Sequence, residues 1–236
     1  MKKLLLKYGG QLIKGTIIDR PNRFTLRVRI GSSVQRVYLP NPGKLSTVIA
    51  PGRKILCQPK VSNKRKTSFT AFAVFLGEFY VTVNSAFANV IFSKVLEKEA
   101  LEEFKGCTIA SREKRIPSGR IDFVLQGPRG DEAYVEVKSS THVEAGVAKF
   151  PDRPTERGRR HLAALSELAT EGTKCYITFI IQRPDARRFE PFREVDPEFA
   201  RMVGEAVEKG VKAIAISTEF KPPNLYLRRV LPMRVK

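Results

Sequence analysis

Asp122, Glu136 and Lys138 are charged residues set inside otherwise apolar runs. They lie in Gly119–Ser139, GRIDFVLQGPRGDEAYVEVKS, whose pattern predicts a β-hairpin. Ile121, Phe123 and Leu125 alternate with Asp122 and Val124; Gly127-Pro128-Arg129-Gly130 supplies the turn; Tyr134 to Lys138 form the second strand. Glu136 and Lys138 are two apart, so they leave the same face of their strand, and Asp122 on the neighbouring strand can lie beside them. An isolated buried charge is costly and needs a partner or a metal. A divalent cation shared by Asp122 and Glu136 is the economical solution.

A Glu-x-Lys on a half-exposed strand is, taken alone, most often a surface ion pair. The added Asp122 and the segment that follows favour chemistry. Thr155 can N-cap a helix carrying Arg157, Arg159, Arg160 and His161. Arg157 and His161 are four apart and share one face, where they can hold a phosphate. The bland alternative for that face is a solvated basic helix end.

Positioning these groups falls to a chain of 236 residues, enough for one large domain or two small ones. No apolar run is long enough to span a bilayer. Lys2-Lys3 before Leu4-Leu5-Leu6 resembles a signal peptide only until Lys7 and Gly9-Gly10 end the run, so a cytoplasmic protein is expected. Cys57, Cys107 and Cys175 are odd in number and far apart; they have neither metal spacing nor a disulfide framework, and inert buried thiols are expected. The formal charge is +19, from 43 basic and 24 acidic residues. A surface that basic attracts polyanions, nucleic acid first among them. A thermophile's charged surface is the alternative, but it leaves the imbalance of sign unexplained.

The first half, residues 1–77, predicts a small barrel. Strands are expected at Gln11–Ile18, Arg23–Ile30, Val34–Leu39, Arg53–Val61 and Thr67–Leu76, with a short helix at Lys44–Ile49. In the second strand Phe24, Leu26, Val28 and Ile30 face a core, while Arg23, Thr25, Arg27 and Arg29 face solvent. Five short strands with an inserted helix predict an OB-fold-like Greek-key barrel, an architecture that commonly binds oligonucleotides. Lys60, Lys64, Arg65 and Lys66 add a phosphate-seeking loop. Tyr38 is a candidate base-stacking residue, although a strand tyrosine more often belongs to the core.

The second half, residues 78–236, alternates helices and strands. A helix is expected from Asn84 or Ser85 to about Phe104, then a strand, the hairpin, and a loop from Ser139 to Pro154. After the Thr155 helix come a buried strand at Cys175–Ile181, a polar loop at Arg183–Arg193 and a helix N-capped by Asp196 with Pro197 at its first position. A buried strand at Val211–Ser217 and an edge strand at Leu225–Leu231 complete an α/β sandwich around a mixed sheet. There is no glycine-rich nucleotide loop and no nucleophile elbow, which argues against a nucleotide-cofactor enzyme or a serine hydrolase. No secure helix-turn-helix supports sequence-specific DNA reading.

Asp122 on one strand and Glu136-Val137-Lys138 on the next resemble the PD-(D/E)xK nuclease core, with Ile121 where that family often has proline. Phe150-Pro151-Asp152, Thr155-x-Arg157-Gly158, His161-Leu162, Asn41-Pro42-Gly43-Lys44, Gly119-Arg120-Ile121-Asp122 and Glu136-Val137-Lys138-Ser139 together resemble the sugar fermentation stimulation protein family over nearly the whole chain. The resemblance implies an OB-like domain followed by a restriction-endonuclease-like α/β sandwich, with DNA as ligand. It implies Mg²⁺ or Mn²⁺ held by Asp122, Glu136 and the Val137 carbonyl, with Lys138 as the catalytic cation. Arg157, His161 and Arg120 would contact the phosphate, and Arg23, Arg27, Arg29, Lys64, Arg65 and Lys66 the strand further out. The alternative is a non-catalytic DNA-binding regulator of sugar (maltose) metabolism on a nuclease scaffold. RNA in place of DNA, the strandedness and a homodimer stay open. A first-helix acid often joins such sites; Glu97 is the nearest candidate, although it falls late in its helix.

Overall fold

A computed structural model of the chain describes residues 2–60, 67–116 and 119–235. The strict alternation after Arg23 becomes the wall of a barrel. Its strands are β2 (Ile13–Asn22), β3 (Thr25–Ile30), β4 (Ser33–Tyr38), β5 (Lys54–Pro59) and β6 (Phe69–Phe75), following a short N-terminal β1 (Lys3–Lys7). Antiparallel pairs run β4-β3-β2-β5-β6, and a parallel β4–β6 contact closes the ring. Leu26, Val28, Val37, Ile55, Ala71 and Val74 fill it. This is the expected five-stranded OB architecture.

A short β7 (Tyr80–Thr82) continues the sheet out of the barrel by pairing with both β6 and β15 (Lys212–Lys221). Beyond the barrel the sheet runs β15, β13 (Lys174–Ile181), β10 (Glu132–Ser140), β9 (Gly119–Gln126) and β8 (Thr108–Ile116). Parallel β10–β13 and β13–β15 pairs beside antiparallel β8–β9 and β9–β10 pairs make it the expected mixed sheet. Helix α1 (Phe87–Glu97) covers one face through Ile91, Phe92 and Val95 against Phe123, Val135 and Ile180. Helices α2 (Glu156–Thr170) and α3 (Pro197–Glu208) cover the other through Leu162, Leu165, Phe199 and Val203 against Ile177, Phe179 and Ala215. Both faces are buried, which explains the continuous apolar run of β13. No helix among the described residues is long and apolar enough to cross a membrane.

Several expectations are corrected. The helix expected to reach Phe104 ends at Glu97: Glu99 adopts φ 43°, a left-handed conformation, and a 3₁₀ turn at Glu102–Phe104 tucks Phe104 into the core. Lys44–Ile49 is a turn rather than a helix, because Leu45 sits at φ 57° and its amide donates to Asp152. The loop after Ser139 contains β11 (His142–Glu144) and β12 (Val147–Phe150), joined by Ala145 and Gly146, both at positive φ. The loop at Arg183–Arg193 contains β14 (Arg188–Pro191), which pairs with β12. The Leu225–Leu231 strand, β16 (Asn224–Val230), is not an edge: β1 adds to its open side and β15 lies on the other. Phe24 leaves the core face. It lies in the tight β2–β3 turn, outside the pleat that orients Leu26 and Val28, and is 41% exposed.

The Thr155 and Asp196 caps both form. Thr155 Oγ1 accepts from the Gly158 amide at 3.0 Å. Asp196 accepts from the Phe199 amide (3.0 Å), the Thr155 amide (2.8 Å) and Arg159 (2.9 Å), so one buried carboxylate caps α3 and pins the start of α2. Burial pushes its pKa up, but these donors outweigh burial and hold it below the usual carboxylate range. Asp196→Ala is expected to cost about 2–3 kcal/mol at neutral pH, read from urea melts. A depressed folded pKa means the stabilisation is complete above the unfolded value of about 3.9 and lost as pH falls through the folded one. The gap between wild type and variant should therefore narrow below about pH 4 and persist at higher pH.

Candidate active site

The β9–β10 ladder pairs Phe123 with Val135 and gives out there. One residue further on, the Asp122 side chain takes over: its Oδ2 accepts the Val137 amide at 2.9 Å. That bond sets Asp122 beside the Glu136–Lys138 face. Helix α1 reaches the same carboxylate from one side of the sheet, where Asn89 Nδ2 donates to Asp122 Oδ1 at 3.1 Å. Helix α2 reaches from the other, bringing His161 Nδ1 into a short hydrogen bond with Glu136 Oε1.

Lys138 Nζ donates to the same Glu136 Oε1 at 2.6 Å and lies 3.3 Å from His161 Nδ1. Arg157 Nε stands 3.4 Å from His161 Nε2. Arginine can only donate, so Nε2 accepts and the imidazole hydrogen sits on Nδ1, aimed at Glu136. The i, i+4 spacing of Arg157 and His161 thus works as a relay: arginine sets the ring, and the ring holds the carboxylate. Glu136, Lys138 and His161 are all buried.

Burial alone would raise Glu136, but the Lys138 ammonium and His161 overcome it and hold the carboxyl below the usual range. Asp122 moves the opposite way. Burial and then the Glu136 charge push it up, against partial relief from the Val137 amide, Asn89 and Lys138. The two carboxyls are electrostatically coupled, and Asp122 is the one left short of positive charge.

Both carboxyls line a cleft of about 410 Å³ between barrel and sheet. Val137, Lys138, Arg153 and Arg157 line it from the second half, and Arg23, Asn41, Pro42 and Gly43 from the barrel. Buried polar contacts fix that junction: Asn41 Nδ2 donates to Val83 O (3.0 Å), and Asp152 Oδ2 accepts the Leu45 amide (2.9 Å). Gln182 bonds Ser139 Oγ at 2.6 Å and the Asn84 carbonyl at 3.2 Å.

The other candidates separate. Arg23 lines the cleft. Arg120 is exposed and pairs with Glu113 at 2.8 Å, and Glu113 itself lines the cleft. Arg27 is bound to Asp19 on the barrel surface and Arg29 is exposed; neither lines the cleft. Lys64, Arg65 and Lys66 lie outside the described residues. Tyr38 is half-buried in β4. Glu97 pairs with Lys94 at 2.6 Å near the end of α1 and does not line the cleft. The first helix instead supplies Asn89, an amide that sequence reasoning missed although it interrupts an apolar stripe. Cys57 and Cys175 are buried as expected, their thiols pushed up by burial to about 12 and about 11, while Cys107 is only partly buried.

A hard divalent cation fits this donor set. Glu136 Oε2 is buried and has no hydrogen-bond partner, and the adjoining Asp122 carboxyl is destabilised by the Glu136 charge. Among the described residues no three His, Cys, Asp or Glu side chains gather into a metal-holding group. Two neighbouring carboxylates suit one ion better than two.

Comparison with known proteins places these features in context. The family described as "Sugar fermentation stimulation protein RE domain" matches residues 86–224, and "SfsA N-terminal OB domain" matches residues 18–83. A sugar fermentation stimulation protein homolog of Methanothermobacter thermautotrophicus is 37% identical over 202 residues, 86% of this chain and 84% of that protein. One from Moorella thermoacetica is 35% identical over 233 residues, covering 98% of this chain and 100% of its own. The structure of Pyrococcus furiosus SfsA in complex with Ca²⁺ superimposes with a TM-score of 0.91 at 31% identity, over 98% of this chain and 99% of that one.

Proposed function

Because the chain belongs to the sugar fermentation stimulation protein family, with its OB and restriction-endonuclease-like domains both present, we propose that it is a divalent-metal-dependent nuclease that binds DNA or RNA. The observation that carries the reading is the orphaned, buried Glu136 Oε2 beside Asp122 in a cleft that also presents Arg23, Lys138, Arg153 and Arg157. In this reading residues 1–77 supply the unit that holds nucleic acid and residues 78–236 the unit that cuts it, with β1 crossing over to brace the latter. The Ca²⁺ complex of the Pyrococcus furiosus relative supports a cation site here.

Asp122, Glu136 and the Val137 carbonyl would hold Mg²⁺ or Mn²⁺ through oxygen ligands. When bound, the metal would polarise the scissile phosphate and make its bound water acidic. Lys138 would neutralise charge developing on the phosphate and orient the attacking water. Arg157 would position the phosphate. His161, turned toward Glu136, would fix that carboxylate rather than touch substrate, as outer groups fix metal ligands elsewhere. Arg23 and Arg153 would track the backbone, giving binding that weakens steeply with salt.

Incubating end-labelled DNA and RNA with the protein, with Mn²⁺ or with EDTA, tests the reading. Cleavage is expected only with metal. Asp122→Asn is expected to lose it and to lose metal-induced thermal stabilisation. Saturating metal at about a hundredfold over Kd should stabilise wild type by about 2.7 kcal/mol and leave the variant unmoved. Intact nucleic acid with retained binding would support the non-catalytic regulator instead.

A further inference from the structure

We propose that Phe24 is a stacking platform for an unpaired base of a single-stranded polynucleotide whose backbone runs into the cleft. The proposal rests on the cleft being a nucleic-acid site and names its substrate class. Among the described residues six large apolar side chains are exposed, and Phe24, at 41%, is the one aromatic. The hairpin turn does not require it, since such turns are normally built from Asn, Asp or Gly. Nor does the barrel core, whose face begins at Leu26.

The ring is held on a rigid mount. The Phe24 amide donates to Asn22 Oδ1 at 3.0 Å, and the Phe24 carbonyl accepts from the Leu39 amide at 2.9 Å. Arg20 Nη2 donates to the Arg23 and Gly43 carbonyls, both at 2.8 Å, and Arg23 Nε to Pro42 O at 3.0 Å. The hairpin tip and the cleft-lining loop 41–43 therefore move as one piece. The Arg23 guanidinium lies 5.1 Å from the Phe24 ring centroid and also lines the cleft that holds Asp122 and Glu136. An exposed π-face, a guanidinium and an acidic phosphate-cutting centre thus succeed one another along one path. Arg23, Arg153 and Arg157 stand on the cleft wall as phosphate partners, among the acids Glu113, Asp122, Glu136 and Asp152. A base can reach an aromatic face only when it is out of the duplex stack, so the strand must be single where it crosses the hairpin tip. Because every base has a π-face, the contact carries no sequence preference.

The test reads binding in EDTA, so that it does not depend on cleavage. Fluorescence anisotropy would follow a labelled oligothymidylate, an oligouridylate and a blunt duplex of equal length. Phe24→Ala is expected to weaken the single strands about tenfold and leave the duplex within about twofold, and Phe24→Tyr to keep wild-type affinity. Loss confined to the thymidylate or the uridylate arm still supports the platform and names the polymer that it serves. The chain contains no tryptophan, so Phe24→Trp gives a sole reporter whose emission should be quenched by the single strand. Equal affinity of wild type and Phe24→Ala for both single strands, or an equal loss on strand and duplex, overturns the proposal while sparing the nucleic-acid reading. Failure of the wild type to bind any of the three overturns both.

Discussion

Lys138→Ala is expected to lower the proposed metal-dependent strand cleavage by about a thousandfold and to leave nucleic-acid affinity within a few-fold of wild type. The size follows from position. Lys138 is nine-tenths buried, with its ammonium 2.6 Å from Glu136 Oε1, in a cleft lined by Asp122 and Glu136 and, further out, by Glu113 and Asp152. A preorganised charge in such a place needs no solvent rearrangement when charge develops on a phosphate. Affinity survives because Arg23 and Arg153 line the cleft without touching Lys138, and Arg157 lines it too. The substitution also breaks a buried ion pair, a change that costs about 3 kcal/mol or more when a charge is left unpaired. Here His161 still holds Glu136, so a lower cost is expected. Lys138→Met, which keeps the volume, and Glu136→Gln with Lys138→Met, which removes both charges, separate the two effects. The double variant should regain stability without regaining activity. Purified Lys138→Ala cutting DNA or RNA at the wild-type rate would place the chemistry elsewhere.

The second large effect lies at the junction rather than at the acids. A Cβ on Gly43 would stand 2.5 and 2.6 Å from the two carboxylate oxygens of Asp152. Asp152 cannot simply swing away, because its Oδ2 holds the Leu45 amide across the boundary. Gly43→Ala is therefore expected to push the 41–45 loop off the second half. The expected cost is about 2 kcal/mol in a chemical melt, with a tenfold or greater loss of cleavage. Asp152→Ala removes the obstacle together with the bond. In a double-mutant cycle the two losses should be clearly less than additive, since both break one contact. Additive losses would mean that the loop and the sheet are positioned independently.

Strand alternation and helix caps divide the chain into the same two halves that the family resemblance implies. The Asp196 cap, the Thr155 cap and the β9–β10 hairpin are local: a few neighbouring residues determine them, so their sequence signal is strong. Glu136 and Lys138 share a strand face for the same reason. The elements that depart from the local pattern depend on partners far along the chain. β16 looks like an edge until β1, more than two hundred residues earlier, covers it. β14 reads as loop because four polar-flanked residues become a strand only beside β12. Phe24 follows the alternation of β3 and departs from the core only because the hairpin turns one residue sooner.

By itself the sequence determined a strongly basic chain made of a five-stranded barrel and a covered mixed sheet, with two acids and a lysine on adjoining strands. Periodicity, caps and charge are properties of short segments, and they survive without knowledge of the fold. Only the tertiary structure decided that Asn89 rather than an acid comes from the first helix, and that His161 turns toward Glu136. It likewise brought Arg23 and the 41–43 loop across to wall the cleft. Those facts depend on where separately formed elements dock, and docking is governed by packing and polar contacts between residues that no local pattern links.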